Sequence, residues 1–227
     1  MSVYKDVLKK IAPFMKSKGF LRSGYSGKFY YVANDIAYCI TFQKPSLFTY
    51  VHAHIMPLYI PTEFVHLTYG NRLSYMRGLQ FPEISENQPE YIDEWCDTFC
   101  RTMEDVILPI FKQIGSPETL IAETERGSLS LRLFYHVPPI HLDTIKMYTY
   151  LYLQRLPDTQ KAIDSYRNEL VQMRFTKECY ELYYKMSNVV EELIYEDEDK
   201  RETFVKETID HTKTFFREVI KKKNHST

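Results

Sequence analysis

Residues Lys28 to Pro61 read KFYYVANDIAYCITFQKPSLFTYVHAHIMPLYIP, three extended runs punctuated by Asn34-Asp35 and Lys44-Pro45-Ser46. Almost every other residue is aromatic or β-branched, a composition that suits a pleated, half-buried surface better than a helix. The stretch predicts a three-stranded antiparallel meander over about 28–33, 36–43 and 48–58. Asn34 and Asp35 both tolerate positive φ, so they suit a tight two-residue turn. Alternation puts Ile36, Tyr38, Ile40 and Phe42 on one face and Ala37, Cys39, Thr41 and Gln43 on the other. In the third run Phe48, Tyr50, His52, His54 and Met56 share a face, with Val51, Ala53 and Ile55 opposite. Both faces are too apolar to be fully solvated, so helices from elsewhere must cover them. Pro57 and Pro61 mark where pairing ends.

Working outward, residues 2–18 carry Tyr4, Val7, Leu8, Ile11, Phe14 and Met15 at helical spacing, with Lys5, Lys9, Lys10, Lys16 and Lys18 left for water. Gly19 is placed to stop that helix, and Pro13 to kink it. Residues 62–89 are the least regular part, with a fourth edge strand or short helix expected around Glu63 to Tyr69. Long irregular loops are often functional, so this one is the first suspect for recognition. A helix is predicted over 90–114 from Ile92, Trp95, Cys96, Phe99, Met103, Val106, Ile107, Ile110, Phe111 and Ile114, bent near Pro109. Ser116-Pro117-Glu118 is a helix restart, with Ser as N-cap and Pro at the first turn. Residues 126–137 read as either a strand or an extended connection. After Pro138-Pro139 the chain is helical, with four helices expected over 141–156, 157–173, 176–195 and 197–222. The third of these predicts a buried stripe of Phe175, Cys179, Leu182, Met186, Val189, Val190 and Leu193. The fold class is therefore α+β: an α+β domain over 1–137 with a sheet of three or four strands, and a helical region over 138–227 docked on it.

Bulk properties exclude several functions. The 227 residues carry a formal net charge of -1, which argues against affinity built on phosphate neutralisation. Four cysteines have no framework spacing and read as buried free thiols in a reducing cytoplasm. The start MSVYKDVLKK lacks an apolar leader segment, and no run approaches the ~20 apolar residues that a bilayer crossing needs, so a cytoplasmic protein is expected. The 19 tyrosines and 14 phenylalanines stand against one tryptophan. Tyr joins an apolar body to a polar tip and suits core edges and wet binding surfaces alike. Tyr30, Tyr38 and Tyr50 would be the residues of a base-stacking sheet, but the sparse arginine on these strands argues against nucleic acid.

Among chemical candidates, His52-Ala53-His54 is the sharpest. Strand alternation sets the two imidazoles about 6.5–7 Å apart on one face, a spacing that can chelate a transition metal if a third ligand is supplied. His66, His136, His141 and His211 follow no ligand spacing with them, so a metal site is not expected, and a pair of hydrogen-bonded sheet histidines is the simpler reading. Cys96 and Cys100, one turn apart, read as core thiols. Asp93, Glu94, Asp97, Glu104 and Asp105 read as a solvated helix face, since no Glu-x-x-His accompanies them. No glycine-rich phosphate loop and no Gly-x-Ser-x-Gly is present, so no cofactor is expected.

The opening LKKIAPFMKSKGF followed by KFYYVANDIAYCITFQKPS resembles the bacterial domain-of-unknown-function family 4304, on Leu8, Pro13, Phe14, Gly19, Phe20, Gln43 and Lys44. The resemblance covers about the first sixty residues. The later stretch MYTYLYLQRLPDTQKAIDSYRNEL loosely resembles a tetratricopeptide helix pair, with Ala162 and Tyr166 as packing residues. The first resemblance implies a cytoplasmic bacterial protein without known catalytic residues. Some small α+β proteins of this look act as immunity proteins beside toxins, an analogy of fold alone. The expectation is thus a non-enzymatic binder of another macromolecule, an immunity-like or regulatory factor with a protein partner and no membrane. Its candidate contact residues are Tyr50, Tyr69 and Tyr75. The competing expectation is a metal-dependent hydrolase using His52 and His54.

Overall fold

The computed structural model describes residues 2–23, 27–62, 69–126, 132–134 and 137–221. Helix α1 (Val3–Ser17) buries Val3, Val7, Leu8, Ile11 and Met15. Gly19 closes it with φ +84, and the Gly19 and Phe20 amides donate to the Lys16 and Met15 carbonyls. That is a Schellman stop, which a residue with a Cβ would strain. The other end is capped from afar: the Glu86 carboxylate accepts from the Tyr4 amide at 2.9 Å, from the Ser2 hydroxyl at 3.2 Å and from Lys44 Nζ at 3.1 Å. Those donors outweigh the cost of burial and hold the Glu86 pKa below its ordinary value.

The meander forms as the alternation predicts. Strands β1 (Leu21–Arg22), β2 (Lys28–Ala33), β3 (Ile36–Gln43), β4 (Phe48–Pro57) and β5 (Gly70–Arg72) lie side by side in that order, all antiparallel. A sixth strand, β6 (Ile84–Ser85), pairs with β4 at Phe48 and Thr49. The outer edge of β4 is therefore shared between β5 at one end and β6 at the other. Asn34 and Asp35 stand at φ 49 and 59, the geometry of a type I′ hairpin, with Ala33 opposite Ile36.

Helices cover the Tyr38, Ile40 and Phe42 face. The 90–114 helix proves to be three pieces: α2 (Ile92–Thr102), a π-helical stretch Met103–Ile107, and α3 (Leu108–Gln113). Pro109 offers no N–H to the Asp105 carbonyl and crowds it, and the wider i→i+5 register just upstream relieves that conflict. The Phe42 ring packs 6.4 Å from Trp95 and 5.2 Å from Phe99, Phe14 meets Phe99 at 6.4 Å, and Tyr38 meets Phe111 at 5.0 Å. The Tyr38 hydroxyl donates to the Ile114 carbonyl at 2.9 Å, which caps the end of α3. Trp95 Nε1 donates to the Pro82 carbonyl at 2.8 Å and pins the irregular loop to the same helix.

Helix α4 (Pro117–Glu125) starts at the expected Ser116 N-cap, in a reciprocal capping box with Thr119. Helices α5 (Pro139–Tyr152), α6 (Leu156–Gln172), α7 (Lys177–Ile194) and α8 (Glu198–Lys221) complete the chain. Ala162 and Tyr166 are buried packing residues. Arg167 of α6 grips Glu191 of α7 with both terminal guanidinium nitrogens, at 2.9 and 2.8 Å. The α7 stripe needs correction. Cys179 and Leu182 are exposed, and the inward face runs instead through Phe175, Tyr183, Met186, Ser187 and Val190. Two of the seven predicted stripe residues thus face outward, and the other five stay buried or half-buried. Helix α8 is latched to the sheet: Lys213 Nζ lies 2.8 Å from Asp35, whose other oxygen accepts from the Tyr152 hydroxyl at 3.2 Å. One buried cluster runs from Val3 through the sheet to Ile209, crossing the 137/138 boundary.

The edge element expected near 63–69 falls mostly outside the described residues, as does much of 126–137. Within the latter, residues 132–134 form a 3-10 turn with Leu133 and Phe134 buried. No helix among the described residues is long and apolar enough to cross a membrane.

Candidate functional site

Strand pairing decides what the two sheet histidines can do. His54 lies between Cys39 and Gly70, and His52 between Thr41 and Arg72. Both therefore face the same way, as alternation requires, yet their surroundings differ. His54 is fully buried. Gly70 is needed beside it, because a Cβ there would collide with the Ala53 carbonyl and with the His54 backbone and Cβ. His52 is half-buried, and burial together with the Arg72 guanidinium pushes its pKa down to about 4, so the imidazole is neutral at neutral pH. A neutral imidazole can ligate a metal, but a permanent cation in the next strand position repels a second one. Among the described residues, no three or more His, Cys, Asp or Glu side chains gather where an ion could be held. His66 and His136 lie outside the described residues.

The same face carries a feature built around Arg72. Its guanidinium carbon sits 3.8 Å from the Tyr50 ring centroid and 4.8 Å from that of Tyr75. Arg72 Nη1 donates to the Tyr75 hydroxyl at 3.2 Å and to Glu83 Oε1 at 3.4 Å, and the Ser74 hydroxyl donates to the same Glu83 oxygen at 3.2 Å. Local structure supplies this arrangement. Arg72 ends β5, and a 3-10 turn (Leu73–Tyr75) begins at the next residue, so Tyr75 folds back over the arginine from three positions on. Leu73 and Met76 are buried and anchor the turn from beneath. Tyr75 is 55% exposed and Tyr50 is half-buried, so the rings flank the cation with one of them open to solvent.

Of the three tyrosines the sequence singles out, Tyr50 and Tyr75 meet around Arg72 and Tyr69 does not. Tyr69 is 4% exposed, with its ring 6.3 Å from His141, and it serves the core. Tyr30 and Tyr38 are both buried, and the register places them on opposite faces, so with Tyr50 they make no continuous stacking platform. Arg72 and Glu83 were not legible as site residues. The available signal was an arginine three positions before a tyrosine, between Gly70 and Gly78 in the irregular loop.

The thiol reading holds for Cys39 and Cys96, which are buried, and needs correction for Cys179, which is exposed; Cys100 is intermediate. All four are free, and burial raises the pKa of Cys96 to about 11, which keeps it an unreactive thiol. An open groove of about 390 Å³ lies between α8, the end of α5 and the Asn34-Asp35 turn, lined by Asp35, Tyr152, Val205, Ile209 and Lys213 among others. The Asp35–Lys213 pair neutralises itself there, and the groove is a seam of the latch. Comparison with protein-family models, with curated proteins and with solved structures finds no match to this chain.

Proposed function

We propose that this chain is a non-enzymatic binding protein that recognises another protein through the patch formed by Tyr50, Arg72 and Tyr75. An immunity-like or regulatory role fits such a protein. The observation that carries the reading is the arginine held between two tyrosine rings at 3.8 and 4.8 Å, with the outer ring 55% exposed. Tyrosine and arginine dominate the energetics of protein interfaces, because they bring large contact area and directional hydrogen bonds together. A side chain already held in place also loses little freedom on binding. The competing reading, hydrolysis by a metal on His52 and His54, has the Arg72 cation against it.

The test is affinity capture from the cells that make the protein, comparing the parent with Tyr75→Ala and Arg72→Ala. Tyr195→Ala, which removes an 81% exposed aromatic far along the chain at the C-cap of α7, is the control. A protein retained by the parent and the control but lost with both patch variants supports the reading. Equal retention by all four refutes it.

A further inference from the structure

Strand pairing aligns Lys28, Thr41, His52 and Arg72 in one row across the sheet, each the register partner of the next. Neighbouring strands are about 4.7–4.9 Å apart, so the last three side chains of the row, Thr41, His52 and Arg72, can reach a single small group. Thr41 is 1% exposed, and its hydroxyl has no hydrogen-bond partner. His52 Nε2 and Arg72 Nε are likewise buried and unpartnered. Native interiors satisfy nearly all such atoms, and three unsatisfied ones at consecutive positions of one row mark a place built to meet an acceptor. Arg72 makes its hydrogen bonds to Tyr75 and Glu83 through Nη1 alone. The Nε–Nη2 edge, which grips a carboxylate with two parallel bonds, is left over.

Charge narrows the acceptor. Lys28 makes no ion pair among the described residues, and Arg72 is offset only by Glu83 at 3.4 Å. Two cations against one carboxylate leave one positive charge, which a single carboxylate neutralises and a phosphate dianion overshoots. A neutral His52 adds a donor without adding charge. The Tyr75 ring, 55% exposed, forms the solvent side of the arginine.

We infer that Thr41, His52 and Arg72 receive one carboxylate from an acidic side chain of the protein partner, between the rings of Tyr50 and Tyr75. This rests on the binding role proposed above and names the chemistry that the partner brings. The aromatic rim offers contact area beyond what a free carboxylate can use, which favours a side chain on a protein.

The experiment is a titration of the isotope-labelled full chain, following the Arg72 Nε–H and His52 imidazole signals by NMR at constant ionic strength. The probes are sodium acetate, sodium phosphate and a glutamate residue capped at both ends. Acetate and the capped glutamate should shift both signals saturably. Read at His52, acetate affinity should fall at least about tenfold in Arg72→Lys, which keeps the charge and loses the fork. Thr41→Val, which keeps the shape, should weaken it about threefold or more. Absence of a saturable shift, or unchanged affinity in both variants, overturns the inference. Phosphate acting as strongly as acetate overturns the choice of carboxylate, and acetate binding without capped glutamate overturns the side-chain source. Capture that depends on Tyr75 without any acetate response rejects this inference and leaves the binding role standing. An acetate response with capture indifferent to Tyr75 and Arg72 rejects the proposed partner with the binding role.

Discussion

Removing the Phe99 ring should collapse the aromatic seam that joins sheet to helices. Phe99 is fully buried, and its ring lies 6.4 Å from Phe14, 5.2 Å from Phe42, 6.5 Å from Phe81 and 6.0 Å from Trp95, stacked within 5° on the last. These four neighbours come from α1, β3, the loop and α2, so no single element can move in to fill the space. A core Phe→Ala change costs about 3–5 kcal/mol, and poor relaxation places Phe99→Ala in the upper half of that range. Tm should therefore fall by roughly 8–20 °C, at about 2–4 °C per kcal/mol for a chain of this size. Trp95 is the only tryptophan, so its fluorescence reports urea unfolding from beside the deleted ring. Circular dichroism followed in parallel tests whether the transition stays two-state. Tyr195→Ala, at a side chain 81% exposed, should change stability by less than about 0.5 kcal/mol. A loss below about 1 kcal/mol for Phe99→Ala would refute the seam.

Three further outcomes follow from particular contacts. Thr41→Val should stabilise the fold by about 1 kcal/mol in denaturant melts, since it replaces a buried hydroxyl without a partner by a methyl group; a loss of stability would mean the hydroxyl is satisfied. Glu86→Gln should weaken the protein at neutral pH and matter less in acid. The folded-state pKa of Glu86 is depressed, so its contribution is present above the unfolded carboxylate pKa and fades as pH falls through the folded value. Urea midpoints of parent and variant across that range check it, and a gap constant with pH would count against the charge. Asp35→Asn keeps a residue that tolerates the positive φ but removes the charge facing Lys213. Amide exchange in α8 should speed up while global stability falls by no more than about 1 kcal/mol, the usual worth of a partly exposed pair.

The local code was strong where one physical signal dominated. Period-two alternation and the Asn34-Asp35 turn located the three central strands, because their pattern allows one register only. Gly19 and Ser116 marked helix ends through backbone geometry that few other residues supply. The misses have physical causes as well. The π-helical stretch at Met103–Ile107 leaves the apolar spacing almost unchanged, so periodicity cannot reveal it. Strands β5 and β6 are three and two residues long and owe their existence to the edge of β4 rather than to their own composition. Cys179 and Leu182 kept helical spacing, but only tertiary packing chose which side of α7 turned inward. At the site, alternation placed His52 with His54 and Tyr50, whereas Arg72 reached them through a strand pairing that no local pattern encodes.

The central claim is that the open face of Tyr75 over Arg72 is where a protein partner sits. A photo-crosslinking residue in place of Tyr75, compared with the same residue in place of Tyr195, tests it in the cells that make the protein. The account predicts a discrete crosslinked protein at position 75 that is absent at position 195 and disappears when Arg72 is also changed to Ala. No adduct at position 75, or the same adducts at both positions, would contradict it.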